Sequence, residues 1–304
     1  MEYCNIDSAV IAYRSIGSGD ITFVIDTCLN SCSAEWWHIG ELLSEKGKVL
    51  LFDRPGYGKS TVSTLPRTPQ NQAAELNALL QKLKIEDKIV MIGHSQGGYY
   101  CAEYALYYPE KIKALLLLDP ATPFDDTFKS ELSQEEYKGS GVDKTASLKL
   151  AYYLTKCKLG FLLKTLLKKS PPFYYYSFAK DAEKYLLHSL CQKNNYLTAL
   201  EEYKYTHHHE CTEHMVQAIE SSKLQHLKII LMTHSSEKMI KELQYYGNLK
   251  PESAERTEQI WQEVMKRYLT LSNHAEHVTA EQSGHYIHLT DLDLFMRMIE
   301  GVLE

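Results

Sequence analysis

Ser95 stands in Gly93-His94-Ser95-Gln96-Gly97, directly after the apolar run Ile89-Val90-Met91-Ile92 and before a helix-forming run from Gly98 to Ala105. A serine between two glycines, where a strand gives way to a helix, is held on a cramped turn with its hydroxyl above the sheet edge. The N–H of Gln96, at the start of that helix, points where an oxyanion would form. A neutral serine is a poor nucleophile and needs a base. His285, in Gln282-Ser283-Gly284-His285-Tyr286, follows the last β-type run, Glu276 to Glu281, and precedes a final helix, Leu292 to Leu303. A loop at that place carries an imidazole over the sheet edge. The third member of such a set is a carboxylate that orients the imidazole. Asp119 closes the run Leu115–Leu118, and Glu237 follows the run Lys228–Met232. Either reaches; Asp119 is preferred, because the loop after Met232 is polar throughout and has no aspartate. The bland alternatives are a turn cap at Pro120 for Asp119 and an exposed loop acid for Glu237.

The elements that must position these groups alternate between two kinds of pattern. Val10–Arg14, Ile21–Ile25, Lys48–Phe52, Ile89–Ile92, Ala114–Leu118, Leu227–Met232 and His277–Ala280 read as strands. Ala73 to Leu83 has helical periodicity, with Leu76, Leu79, Leu80 and Leu83 on one face. Strands alternating with helices predict an α/β fold, a mostly parallel sheet flanked by helices, with active groups at the carboxyl ends of its strands. Between Pro120 and about Leu224 no strand pattern appears, and the composition turns helical and aromatic. The predicted organisation is therefore a core of residues 1–120 and 225–304 and an inserted helical cap, or lid, of residues 121–224.

The 304 residues include 44% hydrophobic side chains and carry a net charge of -6, so nothing in the composition suggests nucleic acid. Met1 to Asn5 lacks a basic leader pattern, no apolar run is long enough to span a bilayer, and the seven scattered cysteines form no disulfide framework. These features predict a cytoplasmic protein with reduced thiols and no transmembrane segment. Leu148 to Lys169 is basic and amphipathic, with Lys149, Lys156, Lys158, Lys164, Lys168 and Lys169. It reads as a weak membrane-surface contact or as a cap helix with a solvated lysine face; the second is the expectation. Cys28 with Cys32 invites a redox or metal reading. So does His207-His208-His209-Glu210-Cys211 with His214, where only His207/Cys211 and Glu210/His214 share a helix face. Small buried residues and a polar cap helix account for both sets, and no metal is expected.

The elbow at Ser95, the segment Phe52-Asp53-Arg54-Pro55-Gly56-Tyr57-Gly58-Lys59-Ser60 and the run Ser283-Gly284-His285 together resemble the α/β-hydrolase superfamily. The resemblance covers nearly the whole chain. It implies an α/β-hydrolase fold, Ser-His-acid chemistry, no cofactor and a variable cap that sets substrate choice. Members differ in whether the acid follows the strand after the nucleophile helix or the next one, which is the choice between Asp119 and Glu237. By position, Leu29 would supply the second oxyanion N–H. The loop departs from the usual His-Gly or glycine-rich pattern, reading Asp26-Thr27-Cys28-Leu29-Asn30-Ser31-Cys32, with Cys28 in place of glycine.

The function expected is that of a serine hydrolase, carboxylesterase-like, cleaving an ester or related small-molecule acyl substrate through an acyl-enzyme. A peptidase or acyltransferase uses the same triad. Haloalkane dehalogenation on this fold needs a carboxylate where Ser95 stands. A non-catalytic ligand-binding protein on the same scaffold is the reading that the altered loop at Cys28 supports.

Overall fold

The structure, a computed structural model, describes residues 1–303. Eight strands form one sheet: β1 (Glu2–Ile6), β2 (Ala9–Ile16), β3 (Thr22–Asp26), β4 (Lys48–Phe52), β5 (Ile89–His94), β6 (Ile112–Leu118), β7 (Lys228–His234) and β8 (Ala275–Ala280). Their spatial order is β1-β2-β4-β3-β5-β6-β7-β8. The β1/β2 and β2/β4 pairs are antiparallel, and every pair from β4 to β8 is parallel.

After β3 comes α1 (Trp37–Ser44), between β4 and β5 lies α2 (Pro69–Lys82), and β5 leads into α3 (Gln96–Tyr107). Between β6 and β7 run α4 (Asp125–Glu131), α5 (Gln134–Gly139), α6 (Thr145–Lys156), α7 (Leu163–Leu167), α8 (Lys180–Ser189), α9 (Lys193–Thr206) and α10 (His209–Glu220). Then α11 (Ser236–Tyr246) and α12 (Pro251–Lys266) separate β7 from β8, and α13 (Ile287–Thr290) and α14 (Leu292–Leu303) follow it.

The central strands are apolar on both faces because both faces are covered. Met91, Leu115, Leu117, Ile229 and Leu231 join one core with side chains of α2, α3 and α10. The alternate residues Val90, Ile92, Leu116, Leu118, Ile230 and Met232 join a second with α1 and α14. Leu115, Leu116, Leu117 and Leu118 are all wholly buried, each contributing about 1.5–3 kcal/mol.

Several boundaries differ from the sequence pattern for physical reasons. Helix α2 starts at Pro69, capped by the Thr68 side chain on the Asn71 N–H. Its first two turns hide its periodicity because Gln72 and Glu75 are polar yet buried, both bonded to Arg67. Strand β1 is a polar, largely exposed edge and gives little apolar alternation. Strand β7 runs two residues past Met232, through Thr233 to His234, both wholly buried.

Candidate active site

Ser95 adopts φ 54°, ψ -119° between β5 and α3, a region that L-residues rarely occupy and that surrounding structure must enforce. Its N–H donates to Leu118 O at 2.9 Å, and its own carbonyl accepts from the Ala121 N–H at 2.8 Å. The glycines make the turn fit. A Cβ on Gly93 would lie 2.5 Å from Gly98 Cα, and one on Gly97 would lie 2.3 Å from Asp26 O. Gln96 opens α3, so its N–H belongs to the first turn, which has no intrahelical acceptor.

Ser95, Gln96, Leu29, Asp119 and His285 all line one cavity of about 650 Å³. Apolar and aromatic side chains, among them Phe128, Val142, Met239, Leu243, Trp261 and Tyr286, share its wall. His285 Nδ1–H donates to Asp119 Oδ2 at 3.0 Å, which leaves the Nε2 lone pair free. Its backbone is held as well: His94 Nε2–H donates to His285 O at 2.9 Å. Burial pushes the His285 pKa down to about 4, prevailing over the Asp119 hydrogen bond and charge, with His94 and Lys144 acting in the same direction as burial. The imidazole is therefore neutral, a proton acceptor, over the physiological range.

Asp119 sits at φ 43°, just past β6, and is wholly buried. A second imidazole meets it. His234, the last residue of β7, donates its backbone N–H to Oδ1 at 2.9 Å and its Nδ1–H to Oδ2 at 2.6 Å. His234 Nε2–H in turn donates to Glu258 Oε2 on α12 at 3.0 Å, and Ser236 and Gln262 bond the other Glu258 oxygen. The ring lies 4.0 Å from Trp261. Burial opposes a charge on His234, but its two carboxylate partners raise its pKa to about 10. Asp119 is held well below the usual carboxylate range: burial opposes, and the His234 and His285 contacts prevail. Glu237 lies elsewhere, exposed on α11 and paired with Lys241 at 2.5 Å.

The loop after β3 is clamped by Arg54. Its guanidinium pairs with Asp26, donates to Thr27 O at 2.6 Å and Cys28 O at 3.1 Å, and reaches Glu202 of α9 at 3.0 and 3.2 Å. Tyr57 and Gln72 also donate to Glu202, at 2.9 and 2.8 Å. The segment around Asp53 and Arg54 thus ties the loop beside Ser95 to the helices above it. Cys28 turns toward Glu35, with Sγ 3.8 Å from Oε2, while Leu29 lines the cavity. Glu35 also accepts from Ser31 at 2.7 Å and His288 at 3.1 Å.

Donor atoms of Asp119, His234 and His285 lie within 4.8 Å of one another, as do those of Cys28, Glu35 and His94. In the first set the facing atoms are bonded to each other. In the second, Glu35 is occupied, and burial pushes the Cys28 thiol well above its ordinary pKa. Burial, with the Asp53 charge beside it, pushes the Cys32 thiol well above its ordinary pKa too. His207 stacks on Tyr203, with ring centroids 3.8 Å apart, and His214 pairs with Glu103 at 2.9 Å. Arg54 lies in the Phe52–Ser60 segment singled out in the sequence, whereas nothing in the sequence pattern marked His234, Glu258, Glu202 or Glu35.

A family model described as alpha/beta hydrolase fold matches residues 21–150. A (lyso)-N-acylphosphatidylethanolamine lipase of Mus musculus is 34% identical over 94 residues, 30% of this chain and 28% of its own length. A pimeloyl-[acyl-carrier protein] methyl ester esterase of Wigglesworthia glossinidia brevipalpis is 33% identical over 114 residues, 37% of this chain and 41% of its own. These matches thus span about a quarter to two-fifths of the relatives' length. Among solved structures, a thermophilic esterase from Thermogutta terrifontis superposes with a TM-score of 0.64 at 16% identity, over 100% of this chain and 98% of that one. An enol-lactonase from Burkholderia xenovorans does so with 0.62 at 12% identity, over 99% of both. The family match runs from β3 past the elbow and β6, and the fold likeness runs the length of the chain: the protein has the α/β-hydrolase fold.

Proposed function

We propose that the protein is a serine hydrolase that cleaves an ester or related acyl substrate. The observation that carries this reading is the single cavity that joins the strained Ser95 elbow to the His285–Asp119 hydrogen bond. Ser95 Oγ attacks the carbonyl carbon as its proton passes to His285 Nε2. Asp119 holds the Nδ1–H tautomer and stabilises the imidazolium that forms. The N–H groups of Gln96 and Leu29 receive the oxyanion. His285 then protonates the leaving alcohol, and the acyl group stays on Ser95. Water, deprotonated by His285, attacks the acyl-enzyme and releases the acid. Glu237, exposed and paired with Lys241, has no part in this scheme. His234 is a positioning residue: two of its N–H groups aim the Asp119 carboxylate.

The helices between β6 and β7 act as the cap, tied to the core at α8 and α9. Buried contacts hold them: Tyr185 Oη donates to Asp53 at 2.6 Å, and Glu202 receives Arg54. The apolar wall of the cavity suits an acyl chain. Each methylene buried there adds about 0.8 kcal/mol, so kcat/KM for p-nitrophenyl esters should climb from acetate upward until the pocket is full. A series that is flat or falls from acetate would point to a small polar substrate instead. The esterase and lipase names of the relatives agree with an acyl substrate.

A further inference from the structure

The chain is acidic overall, with a net charge of -6. From Lys144 to Lys180 it is the reverse. That stretch holds Lys144, Lys149, Lys156, Lys158, Lys164, Lys168, Lys169 and Lys180 and not one aspartate or glutamate. Only Lys168 has a carboxylate partner among the described residues, Glu183.

The same stretch leaves apolar side chains in solvent. Leu150 is 64% exposed, Tyr153 59%, Phe161 61%, Leu162 53%, Leu166 64% and Tyr174 64%. These are not residues that failed to find a core. The inner face of the segment, Leu148, Ala151 and Leu163, packs with Tyr185 and Leu186 of α8 and Tyr196 and Ala199 of α9. The short turn Gly160–Leu162 packs against both α6 and α7, so the exposed groups of α6, the turn and α7 lie on adjoining elements. Large apolar groups gathered on one outer face mark an interaction surface.

We infer that this face of α6 and α7 docks on an anionic lipid surface, with Leu150, Phe161, Leu162 and Leu166 entering the interface and the lysines meeting the headgroups. Basic residues interleaved with exposed leucine and phenylalanine suit that partner, because apolar burial and headgroup attraction add. A soluble polyanion would use the lysines but give the leucines nothing to enter. A second copy would set one lysine-rich face against another. The placement also has a consequence. Lys144, Ser147 and Pro171, from the same segment, line the Ser95 cavity, so docking brings lipid to the cavity wall.

The test is flotation of the full chain with phosphatidylcholine vesicles with and without phosphatidylglycerol. The expected result is binding to the anionic vesicles that salt weakens. Lys158→Glu/Lys164→Glu/Lys169→Glu should lower the partition coefficient by about fivefold or more per lysine. Leu162→Ser/Leu166→Ser should lower it by at least about tenfold on the same vesicles. Circular dichroism confirms that both variants are folded, and their positions are exposed. No flotation with anionic vesicles overturns the proposal, as does flotation that neither variant weakens. Weakening by the lysine changes alone, together with retention on heparin, would assign the face to a soluble polyanion and equally overturn it.

Discussion

His234 Nδ1 lies 2.6 Å from Asp119 Oδ2, and the His234 backbone N–H reaches Asp119 Oδ1 at 2.9 Å. One residue at the end of β7 thus grips both oxygens of the carboxylate at the end of β6. His285 then finds that carboxylate already oriented. A chain of four side chains results: His285, Asp119, His234 and Glu258.

The His234 pKa, raised to about 10 by Asp119 and Glu258, has a consequence for stability. An imidazole whose folded pKa exceeds its unfolded value stabilises fully below the unfolded value of about 6.5, and the contribution fades as pH rises through the folded value. The melting temperature should therefore fall between about pH 6.5 and pH 10. His234→Asn keeps a donor near Asp119 but cannot carry the charge. Its melting temperature should be lower at neutral pH and should vary less over that window. An equally steep decline in the variant would assign the decline to other groups.

With His285 as the proposed base, its depressed pKa predicts the rate profile. A general base must be neutral to accept the Ser95 proton. With the free-enzyme pKa at about 4, kcat/KM should rise through about pH 4 and be level by neutrality. The check is the acid limb measured with an uncharged ester. A half-maximum near the ordinary histidine value of about 6.5 would show that burial does not lower this ring.

Asp119→Asn should reduce kcat by about 10⁴-fold, because the amide cannot orient and stabilise the imidazolium as the carboxylate does. Glu237→Gln, in an exposed pair with Lys241, should leave kcat within about twofold of the parent, as surface pairs contribute little. The reverse ranking would move the acid to Glu237.

Glu202→Ala should destabilise the protein by about 3–5 kcal/mol in urea unfolding, because it leaves Arg54 buried with one carboxylate partner fewer. Arg54 and Glu202 are both almost wholly buried, so solvent cannot substitute for the lost carboxylate. A loss below about 1 kcal/mol would place the link among exposed ion pairs.

What the sequence made legible was local. Ser95 and His285 announce themselves through neighbours within a few residues, because the elbow and the loop before α13 are short-range geometry. The sheet was readable because β5 and β6 are buried on both faces and therefore apolar throughout. Asp119 and Glu237 both follow a strand, and which one meets His285 depends on how the chain leaves that strand, a property of the assembled sheet. Asp119 turns at positive φ while its N–H donates to Met232 O on the neighbouring strand. Glu237 has already entered the first turn of α11. His234 looked like a loop residue because its strand outlasts its apolar run by two positions. Glu202 and Glu258 were hidden for a different reason. Their partners lie far off in sequence, Arg54 148 residues from Glu202 and His234 24 from Glu258, and a buried glutamate has the same letter as an exposed one.

The most direct test of the central claim is incubation of the purified protein with an active-site-directed fluorophosphonate, followed by peptide mapping, with Ser95→Ala alongside. The proposed mechanism needs a nucleophilic Ser95 at the elbow, activated by His285. The predicted result is one adduct, on the peptide carrying Ser95, absent from Ser95→Ala, with ester hydrolysis by that variant reduced by about 10⁴-fold or more. An unlabelled Ser95, or near-parental hydrolysis by Ser95→Ala, would contradict it.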